Sequence, residues 1–428
     1  MTTTTLEAPP RTPPVETVTP GAAPISLPLA DLFAARQRLK GAIALTPCSE
    51  SIALSEITGC ELFCKREYLH RTGSFKERGA RNALALLLEA GGPGQGMIAA
   101  SAGNHALGLA WHGRSLGVPV TVVMPRYAPL VKVATCRRLG ANVILKGNTF
   151  DEAKAHADQL AAEKGLAYIH PFDNLNVIAG QGTLALEILD QVPDLDAVLV
   201  PIGGGGLAAG VVTVLRTLKP GVTIIGVEPE NAASFGAAVA AGKAVEITPS
   251  YTLADGLSVA KTGERPLALA REGLDEIVTV REDAIALAIL RLAELEKAVV
   301  EGAGAVPLAA LLGDALPQLK GKRVVIPLTG GNIDPLAHSR VIEKGLATDG
   351  RICRLNLLIS DRPGGLAQLS AILAEAGANV TEIVHNRTFA GPDLSSVHVL
   401  CTVETRDREH IAEIKQRLAL EGVRLSAA

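Results

Sequence analysis

"GMIAASAGNHALGLAWHGRSLGVPVTVVMP", residues 96–125, decides the class of fold. A short apolar run ends at Ala100 and a Ser-Ala-Gly-Asn turn follows it. A stretch rich in alanine and leucine then reads as a helix, and the β-branched run "VPVTVVMP" as a second strand. A strand, a helix and a strand in that order make a parallel pair joined by a crossover. The same alternation continues outward. "KVATCRRLG" (132–140) reads as a helix, "ANVILKG" (141–147) as a strand, and Asp151 to Lys164 as a long helix. "LAYIHPF" (166–172), "DAVLVPI" (196–202), "VTIIGVEP" (222–229) and "KRVVIPL" (322–328) are further strands. Short β-rich runs separated by helices predict doubly wound parallel sheets with helices on both faces. Ligands in such folds sit beyond the carboxyl ends of the strands.

The pattern changes at Asp349-Gly350-Arg351. "ICRLNLLIS" (352–360) is followed by a helix from Gly365 to Ala376. "ANVTEIVHNR" (378–387), "SSVHVLCTVET" (395–405), a helix from Asp407 to Ala419 and "GVRL" (422–425) complete the unit. This βαββαβ order is ferredoxin-like and too separate in pattern to join the main sheet. The expected division is therefore a tail over 1–28, a main α/β part over 29–350 and a small α+β unit over 351–428. Within the main part, a smaller subdomain of about 61–169 is expected to be inset in a larger one.

The composition narrows the functional classes. The 428 residues are 48 % hydrophobic with a formal net charge of −3, acids and bases interspersed. This predicts no nucleic acid and no membrane as partner. The first residues, "MTTTTLEAPPRTPPVETVTPGAAP", hold one arginine and two acids and lack an apolar core, so they read as a disordered tail. Six cysteines are scattered without a CxxC pair, which favours reduced thiols and a cytoplasmic location.

Four turns after strands carry candidate chemistry. "RTGSFKERGA" (71–80) places Lys76 where a small polar turn enters a helix, a poor place for a cation beside the helix dipole. A solvated lysine is the bland reading; an amine activated by burial is the functional one. "PIGGGGLAAG" (201–210) removes every Cβ from Gly203, Gly204, Gly205 and Gly206, so that backbone N–H groups can approach phosphate oxygens. Gly204, Gly206 and Ala209 also fit a GxGxxA dinucleotide fingerprint. Glu228 stands near the ribose-acid position, so a nicotinamide-dinucleotide-binding protein competes, as does a tight turn without ligand. "SAGNHALG" (101–108) offers Asn104 to a ring hydroxyl and its N–H groups to a carboxylate, while His105 alone reads as a capping residue. "PLTGGN" (327–332) puts Thr329 at the end of the last main-domain strand, where a hydroxyl could meet a ring nitrogen.

Taken together, and in this order, these motifs resemble the serine/threonine dehydratase family of fold-type II pyridoxal 5′-phosphate enzymes. The chain is most similar to its threonine dehydratase (threonine ammonia-lyase) branch. "HPFDNLNVIAGQGTLALEI" (170–188), "ADGLSV" and "VVEGAGA" fall in family order as well, and the likeness runs from about Asp31 to Leu346. "ISDRPGGLAQLSAILAEAGANVTEI" resembles an ACT domain, a module that binds amino-acid effectors. The resemblance implies two doubly wound subdomains carrying pyridoxal 5′-phosphate, followed by an allosteric unit. It implies that Lys76 is joined to the cofactor and also serves as the catalytic base. Phe75 would pack under the ring. The amides of Gly203 to Leu207 would hold the phosphate, Asn104 would meet the ring hydroxyl and Thr329 the ring nitrogen. Ser101, Ala102, Gly103 and His105 would surround the substrate carboxylate, and Arg78 is expected only on the helix surface.

The implied reaction is β-elimination of water from L-threonine followed by hydrolysis to 2-oxobutanoate and ammonia, with L-serine going to pyruvate as a lesser reaction. It would serve isoleucine synthesis or threonine catabolism. A serine or hydroxyaspartate dehydratase, or an amino-acid racemase of the same family, is the alternative. Ala102 stands where serine racemases carry an acid. Glu228 is a weak metal candidate, because Ser234 replaces the carboxylate expected six residues later. The resemblance further implies a homodimer or homotetramer with a branched-chain amino acid as effector.

Overall fold

The computed structural model describes residues 25–91, 94–313, 315–386 and 395–426. The expected tail lies outside the described residues as far as residue 24. The first helix, Leu29–Leu39, follows Pro28. Strands β1 (Cys48–Glu50) and β2 (Glu61–Lys65) come next. Then follow β3 (Met97–Ala100), β4 (Val120–Met124), β5 (Asn142–Leu145) and β6 (Ala167–Tyr168), and after them β7 (Ala197–Pro201), β8 (Thr223–Pro229), β9 (Glu276–Val280) and β10 (Arg323–Pro327). The final four are β11 (Ile352–Ser360), β12 (Asn379–Asn386), β13 (Ser396–Glu404) and β14 (Arg424–Leu425).

Three sheets result. The largest runs β1-β2-β10-β7-β8-β9 and is parallel except for the β1–β2 pair. The second runs β5-β4-β3-β6 and is wholly parallel. This corrects the expected inset at its first edge. The strand at 61–65 pairs with β10 in register Glu61↔Arg323, so it belongs to the large sheet, and the small sheet begins at β3.

Burial explains why the central strands are apolar at every position. All five residues of β7 and all four of β3 are buried. In β7, Ala197 and Leu199 join one hydrophobic cluster while Val198 and Val200 join another on the opposite face. A sheet covered by helices on both faces requires this. The C-terminal sheet, β12-β13-β11-β14, is antiparallel and alternates instead. Val397, Val399, Cys401 and Val403 are buried beneath the helices Gly365–Glu375 and Arg408–Leu420, while the residues between them are only half-buried and Glu404 is exposed. Among the described residues no helix is long and apolar enough to cross a membrane.

The helix Lys76–Glu89 is held at its base by a buried ionic cluster. Arg78 is fully buried, which corrects its expected surface position. Its guanidinium donates to Glu67 at 2.6 and 2.8 Å and to Glu187 at 2.6 and 2.7 Å, and Lys65 donates to Glu187 at 2.6 Å. Burial alone would push the Glu67 carboxyl up, but Arg78 and His70 outweigh it and hold the group well below the usual carboxylate range. The cluster ties the end of β2 and the helix Leu175–Gln191 to the helix that carries Lys76. At the helix crossing, a Cβ on Gly180 would lie 2.6 Å from the Arg78 carbonyl oxygen, so only glycine permits this approach.

Candidate active site

A cavity of about 770 Å³ opens beyond the carboxyl ends of β3, β7 and β10, between the two parallel sheets. Lys76 enters it from the first turn of its helix. Phe75 donates its N–H to the Thr329 carbonyl at 3.0 Å, and Ser74 bridges to Gly330, so this turn is pinned to the loop after β10. The Lys76 amine donates to the Pro171 carbonyl at 3.1 Å and lies 5.1 Å from the centre of the Phe75 ring. Burial lowers its pKa to about 8, with the nearby Glu301 acting the other way. A fraction of the amine is therefore neutral, and nucleophilic, near neutral pH.

The glycine loop forms the opposite wall. Gly205 has φ +87° and is the N-cap of the helix Gly206–Leu218, where no side chain caps the first turn. Cβ atoms on Gly204 and Gly206 would come within 2.3 and 3.0 Å of Phe172; on Gly203 a Cβ would come within 2.9 Å of Leu257. The loop is packed so closely that bare backbone is the only chain that fits. The first amides of a helix have no intrahelical acceptor, and an anion with several oxygens suits them. The helix Asn104–Leu116 repeats the arrangement: Gly103 is its N-cap and offers no side chain to the helix. Some other helices are capped by a side chain, as by Asn174 at Val177 (3.1 Å) and by Asp407 at His410 (2.8 Å), and others are not, so the missing caps count here only together with the glycine loop.

The residues singled out from the sequence line this one cavity: Phe75, Ser101, Ala102, Gly103, Asn104, His105, Leu207 and Thr329, together with Lys76 and the four glycines. Two of them differ from expectation. One nitrogen of the His105 ring is engaged, its Nε2 lying 3.1 Å from the Ile169 carbonyl oxygen, while its buried Nδ1 has no partner among the described residues, and burial with the adjacent Lys76 lowers its pKa to about 3. It brings no positive charge to a carboxylate. Asn104 is engaged on both sides of its amide, donating to Glu301 at 2.6 Å and accepting from Asn332 at 2.8 Å.

Both oxygens of Glu228 are engaged by the main chain. Its two oxygens accept from the N–H groups of Phe235 and Gly236, both at 2.8 Å, at the start of the helix Ser234–Ala241. Among the described residues no group of three or more His, Cys, Asp or Glu is arranged to hold a metal ion. Two residues that sequence reading gave no role complete the site. Phe172 fills the inner side of the glycine loop, its ring set edge-on to His170 with centroids 4.6 Å apart. Glu301 is buried at the cavity wall. Its signal was legible, since it is the one charged residue in the run Ala298–Leu312.

Comparison with known proteins agrees with this geometry. The chain is 44 % identical over 394 residues to the L-threonine ammonia-lyase of Thermotoga maritima, covering 92 % of this chain and 98 % of that one. Among solved structures it is similar to the processed form of threonine deaminase isoform 2 from Solanum lycopersicum. There the identity is 36 % and the TM-score 0.69, over 76 % of this chain and 99 % of that one. It is also similar to serine racemase from Dictyostelium discoideum, at 35 % identity and a TM-score of 0.68, over 72 % and 99 % of the two chains. Residues 354–419 match the ACT domain family. Residues 39–330 match the family described as pyridoxal-phosphate dependent enzyme, and the chain belongs to that family.

Proposed function

We propose that this chain deaminates L-threonine to 2-oxobutanoate and ammonia, one water being lost by elimination and one taken up by hydrolysis, and turns L-serine over less well. The observation that carries the reading is an amine of lowered pKa, Lys76, facing a glycine cradle and an uncapped helix end across one cavity. The threonine ammonia-lyase likeness over nearly the whole chain supports the choice of reaction.

The residues fit pyridoxal phosphate. The amides of Gly203, Gly204, Gly205, Gly206 and Leu207 would hold the phosphate, Lys76 the carbonyl carbon, Asn104 the ring oxygen and Thr329 the ring nitrogen, with Phe75 against the ring. When bound, the cofactor supplies an electron sink for the charge that develops at the substrate α-carbon. Ser101, Ala102 and Gly103, with the main-chain N–H of His105, would receive the substrate carboxylate at the start of the Asn104–Leu116 helix. The Lys76 amine takes the α-proton. The β-hydroxyl leaves as water, and a water taken up in the later hydrolysis supplies the ketone oxygen while ammonia departs. Thr329 offers a neutral hydroxyl, which cannot hold a proton on the ring nitrogen as a carboxylate would. The resulting short-lived charge favours prompt loss of the β-hydroxyl. Ala102 has no proton to return to the α-carbon, which disfavours racemisation.

In this reading residues 29–350 form the catalytic part and 351–428 a regulatory one, in a homodimer or homotetramer working in the cytoplasm. Isoleucine or valine would be the effector, a nucleotide less so, and the pathway isoleucine synthesis or threonine catabolism. One methyl group is worth about 1–3 kcal/mol of discrimination, so kcat/KM for threonine should exceed that for serine by ~10-fold or more. Comparing threonine, serine and 3-hydroxyaspartate tests this. A clear preference for either of the latter two would overturn the substrate assignment.

A further inference from the structure

Glu301 is buried where a carboxylate is costly, and its place in the fold does not explain it. It is the N-cap of the helix Gly302–Leu312, yet its side chain does not cap that helix. Lys132, a cation that acts on it, pairs with Asp255 instead. The chain makes room for it: a Cβ on Gly330 would lie 2.2 Å from its Oε1. What the carboxyl does is accept the Asn104 Nδ2 at 2.6 Å.

That bond belongs to a chain with one possible direction. Asn332 donates through Nδ2 to the Thr72 carbonyl at 2.6 Å and to the Asn104 Oδ1 at 2.8 Å. Asn104 in turn donates through Nδ2 to Glu301. Both ends of the chain, a backbone carbonyl and an ionised carboxylate, can only accept. Neither amide can turn over without losing bonds at both faces. One hydrogen of the Asn104 Nδ2 is used on Glu301, and the other remains for the cavity that Asn104 lines.

We propose that Glu301 is a positioning residue that locks Asn104 with its N–H₂ group toward the cavity, so that a donor always meets the ring oxygen of the bound cofactor. This rests on the cofactor reading above. The charge of Glu301 closes the second end of the lock: a protonated carboxyl can donate as well as accept, which leaves Asn104 directed only through Asn332 and the Thr72 carbonyl. Burial and the neighbouring Asp255 push the Glu301 carboxyl up to about 7. Lys132 and the hydrogen bonds from Asn104 and the Asn332 backbone act the other way, and Lys76 lies within its field. The lock therefore closes as pH rises through neutrality.

The test uses Glu301→Gln, which keeps the size and removes the charge, and Glu301→Asp, which keeps the charge. Two readouts are needed besides turnover. One is cofactor affinity, measured by fluorescence titration of cofactor-free protein. The other is the ratio of near-ultraviolet to visible absorbance of the loaded protein, followed from acid to base across neutrality. Loss of a hydrogen bond to a charged group predicts about 10-fold weaker cofactor binding in Glu301→Gln. The step near neutral pH in the absorbance ratio should be present in wild type, absent in Glu301→Gln and recovered in Glu301→Asp. Wild-type affinity and an unchanged step in Glu301→Gln overturn the proposal. If that variant does not fold, Asn332→Ala, which frees the other face of Asn104, should weaken cofactor binding in the same direction, and unchanged affinity there overturns it equally. A wild-type protein that takes up no cofactor would instead bring down the reading on which the proposal rests.

Discussion

Lys76 occupies a position that helix electrostatics disfavour, at the first turn of Lys76–Glu89 with Phe75 as N-cap. Its surroundings supply what makes the placement useful: burial that lowers the amine pKa to about 8, and the Pro171 carbonyl as a partner. Lys76→Ala should therefore reduce threonine turnover by ~10³-fold or more, since anchor and base are lost together, while thermal unfolding of the cofactor-free protein changes little. Retained turnover in that variant would show that the amine has another role. At this scale the sequence was a good guide where chemistry and backbone coincide, as at Lys76, Asn104 and the glycines. It was a poor guide where a side chain's partners come from distant segments. Arg78 reads as a surface residue because nothing near it in sequence announces Glu67 and Glu187. The engagement of His105 likewise depends on Ile169, 64 residues away.

Among the elements, the two parallel sheets follow from apolar runs buried on both faces, which periodicity detects. β1, β2 and β9 were not singled out. β1 is a three-residue edge, and β2, "ELFCK", carries a lysine made tolerable in a buried strand by distant partners, Glu187, Gln191 and the Thr46 carbonyl. The pairing of β2 with β10 also puts the edge of the small subdomain after β2. The glycine loop is where element geometry and chemistry meet most tightly. A Cβ at Gly204 has nowhere to go but into the Phe172 ring, at 2.3 Å. Gly204→Ala should displace the loop, weaken cofactor binding by ~10-fold or more and leave secondary structure intact, since overpacking costs about 1–3 kcal/mol. Circular dichroism and cofactor titration would check it, and unaltered affinity would mean that the loop does not hold the phosphate.

On the scale of the whole molecule, the ACT unit is joined to the catalytic part by specific contacts rather than by a bare linker. Arg351 pairs with Glu294, and Arg291 with Asp349, which ends the helix Pro335–Thr348. Arg408 of the ACT unit donates to the Thr348 carbonyl at 2.8 Å. The same helix begins just after Asn332, the partner of Asn104, so one rigid element runs from the cavity to the ACT sheet. An effector that binds two arrangements of the ACT unit unequally would have a physical route to the site. Isoleucine or valine should alter threonine kinetics of the full chain, and truncation after Gly350 should abolish the response while keeping activity. No response in the full chain, with truncation changing only oligomer size, would make the unit structural.

Lys76 is the residue to which the cofactor would be joined covalently. The most direct measurement is borohydride reduction of the cofactor-loaded protein, followed by peptide mapping. The visible absorption band should disappear, and the cofactor mass should be found on the peptide carrying Lys76 and nowhere else. A label on another lysine, or a protein that shows no such band when loaded, would contradict it.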